Sequence, residues 1–272
     1  MDKLNFLTAG MPLRTGNKGY DKAFEILEEM NLDGLELEFV RGVRISDKSR
    51  ESVKKTTKVI TAHAPFYVNL NAEEPEKVEA SVQRIIETAE VCNELGGYSI
   101  TFHAGYYLGQ EKDEVYKKIS KQIGIITEAL NKTGNKIFIR PETTGKATQW
   151  GDLEEIINLS KEYETVFPCV DFSHLHARYV GIMNTYDEFC GVFEKIGKEL
   201  GDFALNNFHA HLAGIEYTAK GERQHLNLLE SDMNYKDLLK AFKKFDIKGA
   251  IVCESPNIED DCKLLKDYYL SL

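Results

Sequence analysis

Short apolar runs rich in Val, Ile and Phe alternate along the chain with longer amphipathic stretches. The strand-like runs are LNFLTA from Leu4, DGLELEFV from Asp33, KVITAHAP from Lys58 and YSITFHAG from Tyr98. KIFIRPET from Lys136, VFPCVDFSH from Val166, NFHAHLAG from Asn207 and GAIVCES from Gly249 follow, eight in all. Between them the helical period predicts amphipathic helices, clearest in PEKVEASVQRIIETAEVCNEL and DEVYKKISKQIGIITEALNK. The very polar stretch from Ser46 to Lys58 carries the weakest helical pattern. No repeat or low-complexity linker interrupts the series. Serial βα units predict a parallel sheet, and right-handed crossovers close eight of them into a (β/α)8 TIM barrel, an α/β fold. The alternative is an open doubly wound sheet. One domain is expected over residues 1–272, a length typical of the barrel.

The barrel makes a testable statement about chemistry, because such folds carry it at the C-terminal ends of their strands. His63 and His103 close the third and fourth runs, and Glu142 the fifth. Asp171 and His174 close the sixth, His209 and His211 lie in the seventh with His225 in the loop beyond, and Glu254 closes the eighth. All seven histidines are expected in the last halves of strands or just beyond, none in a helix. Taken singly, each has a plain reading: a histidine in a strand is usually a hydrogen-bonded core residue, and Asp171 or Glu254 would serve as a helix cap. Nine imidazoles and carboxylates at one rim weigh differently. Burying them without a cation costs several kcal/mol per charge, and mixed His/carboxylate shells suit zinc, manganese or iron. Strand alternation puts His209 and His211 on one face, with His211 nearer the rim as the ligand and His209 a layer below. His176 reads as a loop histidine. Cys253, the only cysteine read at a strand end, should face outward because Glu254 faces in.

Composition is that of an ordinary globular chain, 42% hydrophobic and 29% charged. No apolar run approaches the roughly 20 residues of a membrane span, and MDKLNFLTAG lacks the features of a signal peptide. Five cysteines without a CxxC pair favour reduced thiols and a cytoplasmic location. A net charge of −10 counts against a nucleic-acid partner, although bound cations invert the field locally.

At these residues the chain resembles the endonuclease IV family (AP endonuclease family 2), within the xylose isomerase-like TIM barrels. HAPFYVNL resembles the family's first-histidine segment and FHAG its His-Pro-Gly motif. PETTGKAT resembles its Glu-Asn/Thr-Thr-Ala-Gly segment, CVDFSH its Asp-x-x-His motif, HLAGIEY its seventh-strand histidine and CESPN its terminal Glu-Thr/Ser-Pro. Six motifs in order at barrel spacing are specific where any one is weak. The resemblance implies an enzyme that holds two or three divalent ions, usually zinc, with manganese or iron(II) as alternatives, and that cuts DNA on the 5′ side of an abasic sugar. It implies that His63, His103 and Glu142 hold one ion, that Glu142, Asp171, His211 and Glu254 hold a second, and that His174 and His225 serve a third. Glu142 and Glu254 would be the catalytic carboxylates. Phe66 or Tyr67 would stack beside the gap in abasic DNA, the plain reading being that both are core residues.

Three departures stand out. HAG replaces His-Pro-Gly, HLAG replaces His-Leu-Asn-Asp, and Arg223 stands where the family has an aspartate two residues before its last histidine. The nearest carboxylate, Glu222, is expected to complete the third site, with Gly221 turning it inward. Arg223 would then face outward and hold a DNA phosphate. The opening TAGMPLRTG also differs from the family's glycine-histidine start. A competing reading is a mononuclear sugar isomerase or epimerase of the same barrel superfamily. Glu142, Asp171, His211 and Glu254 fit its metal quartet, and the acidic charge suits it. His63, His103 and His225 are then left without a task. A third reading is a barrel that binds a metal or ligand without catalysis.

Overall fold

A computed structural model describes residues 1–272. Eight parallel strands form its sheet: β1 (Leu4–Ala9), β2 (Gly34–Glu38), β3 (Val59–His63), β4 (Ser99–Phe102), β5 (Phe138–Pro141), β6 (Val170–Asp171), β7 (Phe208–Leu212) and β8 (Gly249–Cys253). β1 pairs with both β2 and β8, so the sheet curls back on itself. Single bridges, Ile139 to Val166 and Glu142 to Cys169, close β5 onto the segment leading into β6. The expected (β/α)8 barrel is therefore what the chain forms. The sixth strand is shorter than its apolar run because Pro168 has no N–H to give to the ladder.

Nine helices surround the sheet: α1 (Tyr20–Glu29), α2 (Asp47–Lys55), α3 (Pro75–Glu94), α4 (Lys112–Lys132), α5 (Leu153–Glu162), α6 (Phe172–Arg178), α7 (Tyr186–Asn206), α8 (Tyr235–Lys244) and α9 (Glu259–Ser271). The polar stretch after Ser46 does become a helix, because the Ser46 side chain caps the N–H of Ser49. Capping boxes, Asp152 with Glu155 and Thr185 with Glu188, fix the starts of α5 and α7. The apolar core is one cluster of 60 residues, mostly between strands and helices. Phe172, Phe193, Phe208 and Phe242 meet there with ring centroids 4.9–5.9 Å apart. Inside the barrel the apolar cluster is only Leu7, Ala250 and Val252. Polar side chains fill the rest of the interior.

No helix is long and apolar enough to cross a membrane. Two short antiparallel strand pairs, the second a hairpin, rim the C-terminal mouth. One pairs Gly105–Tyr106 with Gln149–Trp150, and the other pairs Gly214–Thr218 with Gly221–Leu226.

Candidate metal centre

Strand parity builds the site. On β3 to β5, Thr61 and His63, Thr101 and His103, and Arg140 and Glu142 fall two apart and share the inward face. Glu142 is the hub, 1% exposed. His63 Nε2 stands 3.3 Å from its Oε2, and His103 Nε2 3.2 Å from its Oε1. His174 Nδ1 lies 3.1 Å and His211 Nδ1 3.5 Å from the same Oε1. The His63 ring is set by Nδ1 donating to the Ala64 carbonyl at 2.7 Å, which leaves Nε2 for the site.

The potential ligand atoms gather in overlapping groups, each within 4.8 Å: His63, His103 and Glu142; Glu142, Asp171, His211 and Glu254; Asp171, His174 and His225. Glu142 belongs to the first two and Asp171 to the last two. The donor set fits divalent cations for a specific reason. Glu142 Oε1, Asp171 Oδ2, His211 Nδ1, His225 Nε2 and Glu254 Oε2 are all buried without a hydrogen-bond partner. Five orphaned donors and acceptors converging on one bowl are costly unless a cation satisfies them.

The field in the bowl is strongly cation-seeking. Burial alone would push the Glu142 carboxyl up, but the surrounding rings, His103 first, hold it well below its ordinary value. Burial would lower His63; the Glu142 hydrogen bond and the Glu38 and Glu142 charges instead raise it to about 10. His174 is raised well above its ordinary value against its burial, Asp171 being the largest opposing influence. Asp171 is pushed up to about 6 by burial, with His174 pulling the other way. For Glu254, burial is outweighed by the His211 charge and hydrogen bond, leaving it at about 2. These rings hold protons where a cation of higher charge would compete for the same oxygens.

Some expectations are corrected. His174 and His176 lie in α6, not in a strand or loop, because Asp171 ends β6 at once and caps the helix: its Oδ1 accepts from the His174 backbone N–H at 2.7 Å. Asp171 thus fills both of its readings, cap and potential ligand. His176 is buried and points away, bonding the Ile182 carbonyl and Asp232. Cys253 faces outward into the large apolar core as expected, but a second strand-end cysteine was missed. Cys169 is two residues before Asp171, faces inward and groups with His209 and His211. Burial pushes its thiol up to about 12, so it stays protonated and a poor ligand.

Phe66 and Tyr67 are not core residues. They are 57% and 51% exposed and pack on each other with centroids 4.2 Å apart. Glu222 is drawn inward as expected. Gly221 has φ 93°, the Glu222 N–H donates to the Gly145 carbonyl at 2.9 Å, and Oε2 stands 3.7 Å from His174 Nε2. Arg223 does face outward, but its Nη1 pairs with Glu216 Oε1 at 2.6 Å.

Two further residues escaped the sequence reading, Glu36 and Glu38 on β2. Their alternation with Leu35 and Leu37 was the available signal: apolar outward, acidic inward. Glu36 is fully buried beneath His211, and Glu38 stands at the mouth beside Glu36 and Glu254.

Comparison with known proteins adds the following. A family described as the xylose isomerase-like TIM barrel matches residues 24–268. An uncharacterized protein of Methanocaldococcus jannaschii is 44% identical over 271 residues, 99% of this chain and 98% of its own length. A probable endonuclease 4 of Pediococcus pentosaceus is 25% identical over 238 residues, 86% of this chain and 79% of its own. Among solved structures, a D-tagatose 3-epimerase-like protein has a TM-score of 0.74 at 20% identity over 97% of each chain. Endonuclease IV from Thermus thermophilus has a TM-score of 0.71 at 18% identity, over 99% of this chain and 100% of its own. At those identities the two structures speak to the fold alone.

Proposed function

We propose a function for this chain, which belongs to the xylose isomerase-like TIM barrel family: metal-dependent hydrolysis of a DNA phosphodiester on the 5′ side of an abasic site. The observation that carries the reading is the pair His63 and His103 on Glu142. A mononuclear site built from Glu142, Asp171, His211 and Glu254 has no use for them, nor for His225. Zinc suits the His/carboxylate donor set, and manganese or iron(II) would be accepted by it. Bound there, two or three such ions supply Lewis-acid activation of a phosphoryl oxygen and of water.

The chain's own residues do the rest. Glu142 and Asp171, each shared by two ligand groups, fix the spacing of the cluster. Glu254, held ionised, is placed to accept a proton. Phe66 and Tyr67 offer an exposed aromatic face on which a base can stack. Arg223 reaches a phosphate only by leaving Glu216. The relative named endonuclease 4 supports the same reading.

The test joins metal analysis to activity. Purified protein should carry more than one equivalent of divalent metal. It should nick duplex DNA bearing an abasic analogue, leave a 3′-hydroxyl and stop after chelation. Glu142→Gln should lower incision by at least ~10³-fold, since it removes a carboxylate shared by two ligand groups. Intact cleavage by Glu142→Gln, or none by metal-replete wild type, defeats the reading. One observation favours a second reading: the quartet Glu142, Asp171, His211 and Glu254 is complete by itself, as a mononuclear sugar epimerase requires. A single tight ion together with ketose epimerisation would establish that instead.

A further inference from the structure

Beneath the bowl lies a fully buried polar layer that the proposed chemistry does not use. Glu36 sits at its centre with two histidines of β7 on its two oxygens. His211 Nε2 is 3.0 Å from Oε1, and His209 Nε2 is 3.1 Å from Oε2. All three side chains are 0% exposed. Thr61 Oγ1 donates to Oε2 at 2.7 Å, and Ser99 Oγ lies 2.7 Å from His209 Nδ1. His209 Nε2, His211 Nε2 and Glu36 Oε1 make no well-aligned hydrogen bond, so these close charge contacts are what the layer offers them.

The contacts assign the protons that face Glu36. The Ser99 hydroxyl donates to His209 Nδ1, and His209 then carries its proton on Nε2, facing Glu36. Thr61 donates to the same carboxylate. His211 likewise carries its proton on Nε2, facing Glu36 Oε1. Its Nδ1 points out of the layer toward Glu254 Oε1 at 3.3 Å and Glu142 Oε1 at 3.5 Å, where a bound cation would take the place of its proton. A ring nitrogen set between two carboxylates favours positive charge there, a proton or, in its place, a metal ion.

We infer that Glu36 is the positioning residue of the metal centre: it holds His211 as the Nε2–H tautomer, so that Nδ1 is the ligating atom. His209 and Thr61 keep Glu36 ionised and aimed. The inference rests on the metal reading of the bowl, not on the nature of the substrate. A carboxylate behind a metal-bound imidazole fixes the ring and raises its basicity. Here one carboxylate serves two rings, so His209 is the spacer that keeps Glu36 centred under His211.

The test uses zinc alone as the probe. Zinc affinity is measured by competition with a chromophoric chelator for wild type, Glu36→Gln and Thr61→Val. The His211 tautomer is read from imidazole nitrogen chemical shifts. Glu36→Gln should weaken one zinc equivalent by about 10- to 100-fold and leave the others in place. It should also change the His211 nitrogen shifts of the zinc-loaded protein away from the pattern of a ring bound through Nδ1 and protonated at Nε2. Thr61→Val, which keeps the carboxylate and the side-chain shape, should weaken the same equivalent by only a few fold, and it covers the case in which Glu36→Gln fails to fold. Unchanged affinity and an unchanged tautomer in Glu36→Gln overturn the inference while the metal reading stands. Wild type that takes up no zinc overturns the metal reading itself.

Discussion

On the outward face of β7, Phe208, Ala210 and Leu212 pack into the apolar layer beneath the helices. On the inward face of the same strand, His209 and His211 enter a polar interior shared with Glu36, Thr61, Ser99, Thr101, Arg140, Glu142 and Asp171. A barrel interior is more often filled with branched apolar side chains. Here stability is concentrated outside the sheet and chemistry inside it. Each of the phenylalanines outside contributes about 1.5–3 kcal/mol by burial. The titratable groups inside mostly offset one another, and their value lies in what they bind.

The strongest way to break this division is to cut one residue from each side. Phe193→Ala, in the aromatic cluster beneath α7, should cost about 3–5 kcal/mol in urea denaturation, with the metal count of the folded fraction unchanged. Asp171→Asn should do the reverse. Asparagine keeps the cap on α6, so stability should stay within ~1 kcal/mol of wild type. Removing the carboxylate shared by two ligand groups should release at least one metal equivalent. If both variants lost metal and stability together, the two faces would not be separable.

The division also explains what could be read from the sequence. The outer layer writes a period of two in strands and 3.6 in helices, so all eight strands and the barrel were legible from apolar runs alone. The site was legible wherever a histidine or carboxylate closed a run, as at His63, His103, Glu142 and Glu254. At the sixth strand the site residues were legible but the element carrying His174 was not, because local capping overrode the strand pattern. His174 follows Asp171 into α6 because the cap forms within three residues, and periodicity carries no trace of that. Glu36 was hidden for another reason: an acidic residue alternating with leucine reads equally as a solvent-facing strand residue. Only closure of the barrel turns that face inward, and closure is a long-range fact.

A smaller effect follows from pH. His63 has its folded-state pKa raised to about 10, so its contribution to metal-free stability is complete below about pH 6.5 and is lost as pH rises through 10. Glu254, lowered to about 2, contributes stability that is present above about pH 4.5 and is lost as pH falls through 2. The apolar layer has no such dependence. Asp171, pushed up to about 6, works the other way between about pH 4 and 6, so the clean signal lies above it. The chelator-treated protein should therefore lose melting temperature from about pH 6.5 toward pH 10, with a slope of at most ~1.4 kcal/mol per pH unit for each proton. Metal-loaded protein should hold its melting temperature through that alkaline range, because the ions replace the protons. Equal alkaline losses with and without metal would show that the bowl is not where the protons sit.

The smallest expected effect concerns Glu222 and the third ligand group. Asp171, His174 and His225 bring their ligand atoms together, and Glu222 approaches from the hairpin at 3.7 Å from His174 Nε2. His225 Nε2 is buried without a partner, so its loss removes a donor that has nothing else to do. His225→Ala should therefore lose the weakest metal equivalent outright. Glu222→Ala removes a nearby negative charge and should weaken that equivalent by about 10-fold. Gly145 supplies an independent handle. A Cβ there would stand 2.6 Å from Glu222 Cβ, 2.7 Å from its Oε2 and 3.1 Å from His174 Cδ2, so Gly145→Ala displaces the Glu222 side chain and crowds the His174 ring without removing either group. If position matters, Gly145→Ala reproduces the loss seen in Glu222→Ala. If charge at a distance is enough, it leaves affinity near that of wild type. Complete loss of the equivalent in Glu222→Ala, matching His225→Ala, would make Glu222 a direct ligand and place the missing carboxylate of the third site one residue before Arg223.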